Sequence, residues 1–144
     1  MIERYRLALV REPSAPPFGA QISAPRDLAR LAWELVGTEP QELVLCLHLD
    51  GRRILRGYQE VARGGLDVAA VDLRVLFAGV LVAGTLAFAL AHNHPSGDPH
   101  PSDHDVALTE RVMTAAKLLG LDFVDHVVVA SGAWSSLQHR GAAW

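Results

Sequence analysis

The stretch Leu86-Ala87-Phe88-Ala89-Leu90-Ala91-His92-Asn93-His94-Pro95-Ser96-Gly97-Asp98-Pro99-His100-Pro101-Ser102-Asp103-His104-Asp105 changes character twice. It begins as a short apolar run with the length and composition of a central strand. At His92 the run ends, and Pro95, Gly97, Pro99 and Pro101 mark a loop. Ser102 then opens a helix that carries Leu108, Val112, Ala115 and Leu119 on one face, with Gly120 as its stop. Strand, loop and helix together deliver His92, His94, Ser102 and Asp105 to one neighbourhood.

The elements on either side build a sheet around that strand. Residues 75–91 hold no charge, and Gly84 divides them into a helix over 73–82, capped by Asp72 and apolar on every side, and the strand over 86–91. Residues 42–49 are almost continuously apolar, Asp50-Gly51 signals a hairpin, and residues 53–62 read as the returning strand. Pro25 opens an earlier helix, with Leu28, Leu31, Ala32, Leu35 and Val36 at helical spacing before Gly37. Residues 4–10 alternate as a first strand would, and residues 12–24 form a proline-rich connection. Residues 123–130 make a strand, Ser131-Gly132 a turn, and residues 134–139 a last short strand. The order β, α, β, β, α, β, α, β, β predicts an α/β (α+β) fold, a mixed sheet flanked by helices, in a single domain over residues 1–144.

Composition narrows the classes further. A chain of 144 residues, half of them hydrophobic and a fifth charged, holds a core without staples. Cys46, the one cysteine, lies inside an apolar run and reads as inert core; no internal disulfide, Cys-only zinc finger or CxxC redox pair is possible. Thirteen basic against sixteen acidic residues give a net charge of −3 and no overall field for a polyanion. With no signal-peptide pattern and no membrane span, the expected location is cytoplasmic.

The spacing His-x-His, then Ser-x-x-Asp, has a geometric meaning. Residues two apart on a strand project to one face, so His92 and His94 can address one point. Asp105 lies three residues after Ser102 on the first turn of a helix, where such side chains are neighbours. Two histidines and a carboxylate can therefore converge on a divalent ion, and a tetrahedral set of this kind favours zinc with one position open. Ser-x-x-Asp is also a helix-capping pattern, and the two roles are compatible. His100 and His104 read as exposed loop residues, and His48, His126 and His139 as structural. The His-x-Glu and Pro-Cys-x-x-Cys of zinc deaminases are absent, as is His-Glu-x-x-His.

This pattern resembles the JAMM motif of the JAB/MPN metalloprotease family, and residues 92–102 resemble its RadC-like bacterial branch closely. Gln41-Glu42-Leu43 leading into Leu49-Asp50, and Asp125-His126 leading into residues 127–129, are similar too, so the resemblance covers roughly residues 25–140. It implies a JAB/MPN-type domain that binds one Zn2+ through His92, His94 and Asp105 and hydrolyses an amide in a peptide or protein substrate. Glu42 matches the family's upstream glutamate, the acid/base that relays a proton from water to the leaving amine. Ser102 matches the residue that hydrogen-bonds the oxyanion. Glu39 and Glu60 are the substitutes for Glu42.

Two departures accompany the resemblance. Longer RadC-like members often carry an N-terminal helical, DNA-binding-like region, and too few residues precede Pro25 to hold one; the helix over 73–82 lacks the polar residues associated with that branch. An alternative reading is a binding module for DNA or a repair assembly, resting on Arg52, Arg53, Arg56 and Arg63 in the hairpin. Net charge and the lack of interleaved aromatics weigh against nucleic acid. Loss of the metal, as in family members that lack ligands, is disfavoured because all three are present. The sequence leaves monomer and homodimer open.

Overall fold

The structure, a computed structural model, describes residues 1–6, 8–10, 12, 19–64 and 71–138. Among them the elements run α1 (Pro25–Val36), β1 (Glu42–Leu49), β2 (Leu55–Gly64), α2 (Leu73–Ala83), β3 (Ala87–Asn93), α3 (Asp103–Leu119), β4 (Asp122–Ala130) and β5 (Ala133–Ser136). The strands form one mixed sheet in the order β2-β1-β3-β4-β5. Only β3 and β4 are parallel, and α3 is the crossover between them. The fold is α+β, with helices on a mixed sheet.

Period-two alternation sorts the side chains of the central strands into two cores. Leu43, Leu45, Leu47 and Leu49 of β1, with Ala87, Ala89 and Ala91 of β3, face α1 through Leu28, Leu31, Ala32 and Val36. Val44 and Cys46 of β1, with Phe88 and Leu90 of β3, face α2 and α3 through Leu76, Phe77, Val80, Leu108 and Val112. Both strands are covered on both faces, which is why they read as unbroken apolar runs. Phe88 is the centre of the second core, with its ring 5.7 Å from Phe77 and 5.3 Å from Phe123 between centroids.

The uncharged stretch 75–91 divides at Gly84, whose left-handed φ of 71° ends α2 before β3 begins. Other expectations are corrected. Residues 4–6 and 8–10 form no strand and are exposed; the chain first joins the sheet region at an isolated bridge, Gln21 to Ile54. Of the proline-rich connection, residues 13–18 lie outside the described residues. Helix α2 is not buried on every side, because Val75 and Leu81 are half exposed while Leu76, Phe77 and Val80 face the sheet. Helix α3 turns Ala116 rather than Leu119 to the core. The strand β2 starts two residues later than residue 53, because the turn is longer than Asp50-Gly51: the Asp50 carboxylate accepts from the amides of Arg52 and Ile54, and Arg53 takes a left-handed φ of 59°. The last strand stops at Ser136, where Asp125 accepts from the Ser136 hydroxyl and the Gln138 amide and draws the chain into a helical turn; His139 lies outside the described residues.

Replacing Phe88 by alanine empties the centre of the second core. Phe88→Ala is expected to cost about 3–5 kcal/mol, read from the urea midpoint of unfolding. A loss below about 1 kcal/mol would mean that this core is loosely packed.

Candidate metal centre

Three element ends meet at one end of the sheet. Strand β3 finishes there with His92-Asn93, and its pairing with β4 continues one residue further through the His94 amide to the Val129 carbonyl, 2.8 Å. Strand β1 is antiparallel to β3, with Val44 opposite His92, so Glu42 starts β1 at that same end. The loop over 94–102 returns the chain to the N-terminus of α3. There the Ser102 hydroxyl accepts from the Asp105 amide at 3.1 Å, and Asp105 Oδ2 accepts from the Ser102 amide at 2.8 Å. This capping box fixes the Asp105 carboxylate on the first turn of the helix.

The four side chains converge. His92 Nε2 and His94 Nε2 are 3.0 Å apart, and Asp105 Oδ2 lies 3.3 Å from each. Glu42 Oε1 is 3.8 Å from His92 Nε2, and one ligand atom from each of the four residues lies within 4.8 Å of the others. His92 and Asp105 are almost wholly buried, whereas Glu42 and His94 keep an exposed side. Donor atoms on a tetrahedral ion at about 2.0–2.1 Å stand about 3.3 Å apart, so the two rings and Oδ2 match one face of such a polyhedron.

The hydrogen bonds behind the rings determine what the front atoms carry. A carbonyl oxygen only accepts, so the Thr109 hydroxyl donates to the Asp105 carbonyl at 2.7 Å. With its proton committed, Thr109 Oγ1 accepts from His126 Nδ1 at 2.7 Å. His126 is fully buried, and desolvation, reinforced by neighbouring His92, holds its pKa well below the ordinary imidazole value. It is therefore neutral, and its Nε2 accepts from His92 Nδ1 at 2.7 Å. His94 Nδ1 likewise donates to the Asp98 carbonyl at 2.8 Å. With Nδ1 of both rings engaged from behind, each Nε2 is left facing the other and a carboxylate, where it can offer a lone pair to a cation. Such a set of acceptors calls for a cation, and the donor types suit a divalent transition metal.

Residues 22–142 match the family described as the RadC-like JAB domain. The chain is 33% identical over 121 residues to a UPF0758 protein of Methanosarcina mazei, covering 84% of this chain and 53% of that one. It is 30% identical over 140 residues to a UPF0758 protein of Clostridium perfringens, covering 97% and 60%. A UPF0758 protein of Marinobacter nauticus is 37% identical over 123 residues, 85% and 55%. The chain belongs to the RadC-like JAB domain family. It spans about half the length of these curated relatives.

Within this RadC-like domain the structure gathers Glu42, His92, His94 and Asp105 and leaves the other candidates apart. Glu39 and Glu60 both face Arg63, at 3.8 and 2.8 Å, away from the cluster. His100 and His104 are exposed, and His48 is buried elsewhere in β1. Cys46 is buried, and desolvation pushes its thiol far up. His126, read from the sequence as structural, stands directly behind His92, with Thr109, which no sequence motif marks, behind it in turn. Three of the four hairpin arginines are engaged by acids: Arg53 with Asp122 at 3.5 Å, Arg56 with Asp50 at 2.7 Å and Arg63 with Glu60. Among the described residues no helix is long and apolar enough to cross a membrane.

Burial works to raise the Asp105 pKa, but hydrogen bonds from His92 and His94 outweigh it and hold the carboxyl below its usual range. Chiefly through its bond to Asp105, His94 is raised above its ordinary value. The His94 contribution to stability is full below about pH 6.5 and is lost as pH rises through the folded pKa; that of Asp105 is present above about pH 3.9 and is lost as pH falls through its own. A divalent ion competes with the His94 proton, so its stabilisation grows with pH. The rise in Tm on adding zinc is expected to be larger at about pH 8 than at about pH 5.5, and absent in His94→Ala. An equal rise at both values would contradict a site built on these side chains.

Proposed function

We propose that this RadC-like domain is a zinc-dependent hydrolase of the peptidase type that cleaves an amide in a peptide or protein. The observation that carries the reading is the convergence of two imidazole Nε2 atoms and a buried carboxylate beside a partly exposed glutamate. Zinc held by three such ligands lowers the pKa of a coordinated water to about 7 and polarises a carbonyl.

The chain's own groups supply the rest. His92, His94 and Asp105 would hold the ion, their positions fixed from behind by His126, Thr109 and the α3 capping box. Glu42 lines an open cleft of about 330 Å³ with Pro40, Gln41, Gly64, His94, Pro95 and Ser96. From that wall its carboxylate can take a proton and return it to the leaving amine. Ser102 has a hydroxyl lone pair engaged by the Asp105 amide, and its proton remains free to donate to a developing oxyanion. An open cleft suits a segment of a longer chain better than an enclosed small molecule. The ion pairs of Arg53, Arg56 and Arg63 lower the charge available to nucleic acid, and no observation favours the DNA-binding alternative. A reducing cytoplasm fits the single buried cysteine.

Elemental analysis paired with a peptide-library assay tests this reading. About one zinc per chain is expected in the wild type, with little retained by His94→Ala or Asp105→Ala. Glu42→Gln is expected to keep the metal and lose about 10²- to 10⁴-fold in cleavage rate. Cleavage that survives chelation, or that is indifferent to Glu42, would refute it.

A further inference from the structure

We propose that Asn93 is a positioning residue that holds Glu42 at the metal centre by clamping the main chain on both sides of it. The proposal rests on the reading of Glu42 given above. Asn93 lies between the two candidate ligand histidines, and alternation along β3 turns it to the opposite face of the sheet, where it is almost wholly buried. The last β1–β3 pair is Val44 with His92, so on this edge the ladder stops short of Glu42, whose other edge pairs with Gly64 of β2. The Asn93 amide takes up the next backbone groups. Its Oδ1 accepts from the Leu43 amide at 2.8 Å, and its Nδ2 donates to the Gln41 carbonyl at 2.9 Å and the Glu39 carbonyl at 3.1 Å.

The chemistry of these partners fixes the orientation of the amide, since an N–H only donates and carbonyls only accept. The Gln41 carbonyl belongs to the peptide unit before the Glu42 Cα, and the Leu43 N–H to the unit after it. Both peptide planes flanking Glu42 are therefore tied to one side-chain amide, which sets the direction in which Glu42 leaves the chain. An aspartate would set a carboxylate oxygen against two carbonyls, and an alanine would take this partner from one buried amide and two part-buried carbonyls. A three-residue piece of strand thus holds the histidines on one face and, through the other, the base that works with them.

The test is NMR of the full chain carrying Asn93→Ala and Asn93→Asp, following the Glu42 carboxyl carbon and the His94 ring on zinc addition. Asn93→Asp keeps the size and one acceptor, so it serves if the alanine variant does not fold. In the wild type both signals are expected to move. In the variants the His94 response should remain, while the Glu42 response falls to less than half. Zinc affinity should change by no more than a few-fold, because a residue supporting a ligand directly would cost about 10- to 100-fold. A wild-type-sized Glu42 response in both variants overturns the clamp alone. So does a loss of zinc affinity with the Glu42 response intact. If Glu42 does not respond even in the wild type while His94 does, the role of Glu42 falls, and the clamp on the metal centre falls with it.

Discussion

The backbone carbonyl of Asp105 can only accept a hydrogen bond, and the proton order of the whole site follows from that fact. It commits the Thr109 hydroxyl, which commits His126, which commits His92 Nδ1, so that Nε2 of His92 is the atom turned back to the carboxylate of the same Asp105. The loop closes on one residue, whose main chain sets the tautomer and whose side chain meets the result. Inside a low-dielectric interior such a chain is costly to leave half satisfied. The cluster in front of it is therefore held in one state, ready for a cation.

The fold makes this possible by bringing three element ends together. The C-terminal end of β3 supplies the histidines, the antiparallel start of β1 supplies Glu42, and the N-terminus of α3 supplies Ser102 and Asp105. Two separate cores lock the sheet between α1 on one side and α2 with α3 on the other, so neither strand can slip by one residue without inverting its faces. A slip would turn Asn93 to the metal side and the histidines away from it. Register in β1 and β3 is thus a condition of the site as well as of the core.

Much of this was legible in the sequence, and the exceptions have physical causes. The strands β1 and β3 were readable because both of their faces are buried, and His92, His94 and Asp105 because period-two and helix-start spacings are local. Residues 4–10 alternate in sequence, but 4–6 and 8–10 find no partner in the described sheet, and alternation alone does not make a strand. For α2 an all-apolar sequence implied all-round burial, yet only one side meets the sheet. The supporting residues were missed because their bonds span the chain: His126 to His92 across 34 positions and Asn93 to Leu43 across 50. A signal for two of them existed. Thr109 lies one turn after Asp105 on the inward face of α3, and His126 interrupts an apolar strand, both polar residues at core positions.

The central claim is that these atoms surround a metal ion, and a crystal of the zinc-soaked protein, with data collected on either side of the zinc edge, addresses it most directly. The account predicts one dominant anomalous peak, bound by His92 Nε2, His94 Nε2 and Asp105 at about 2.0–2.2 Å, with His92 Nδ1 still bonded to His126. No peak at this cluster, or a peak held by other residues, would contradict it.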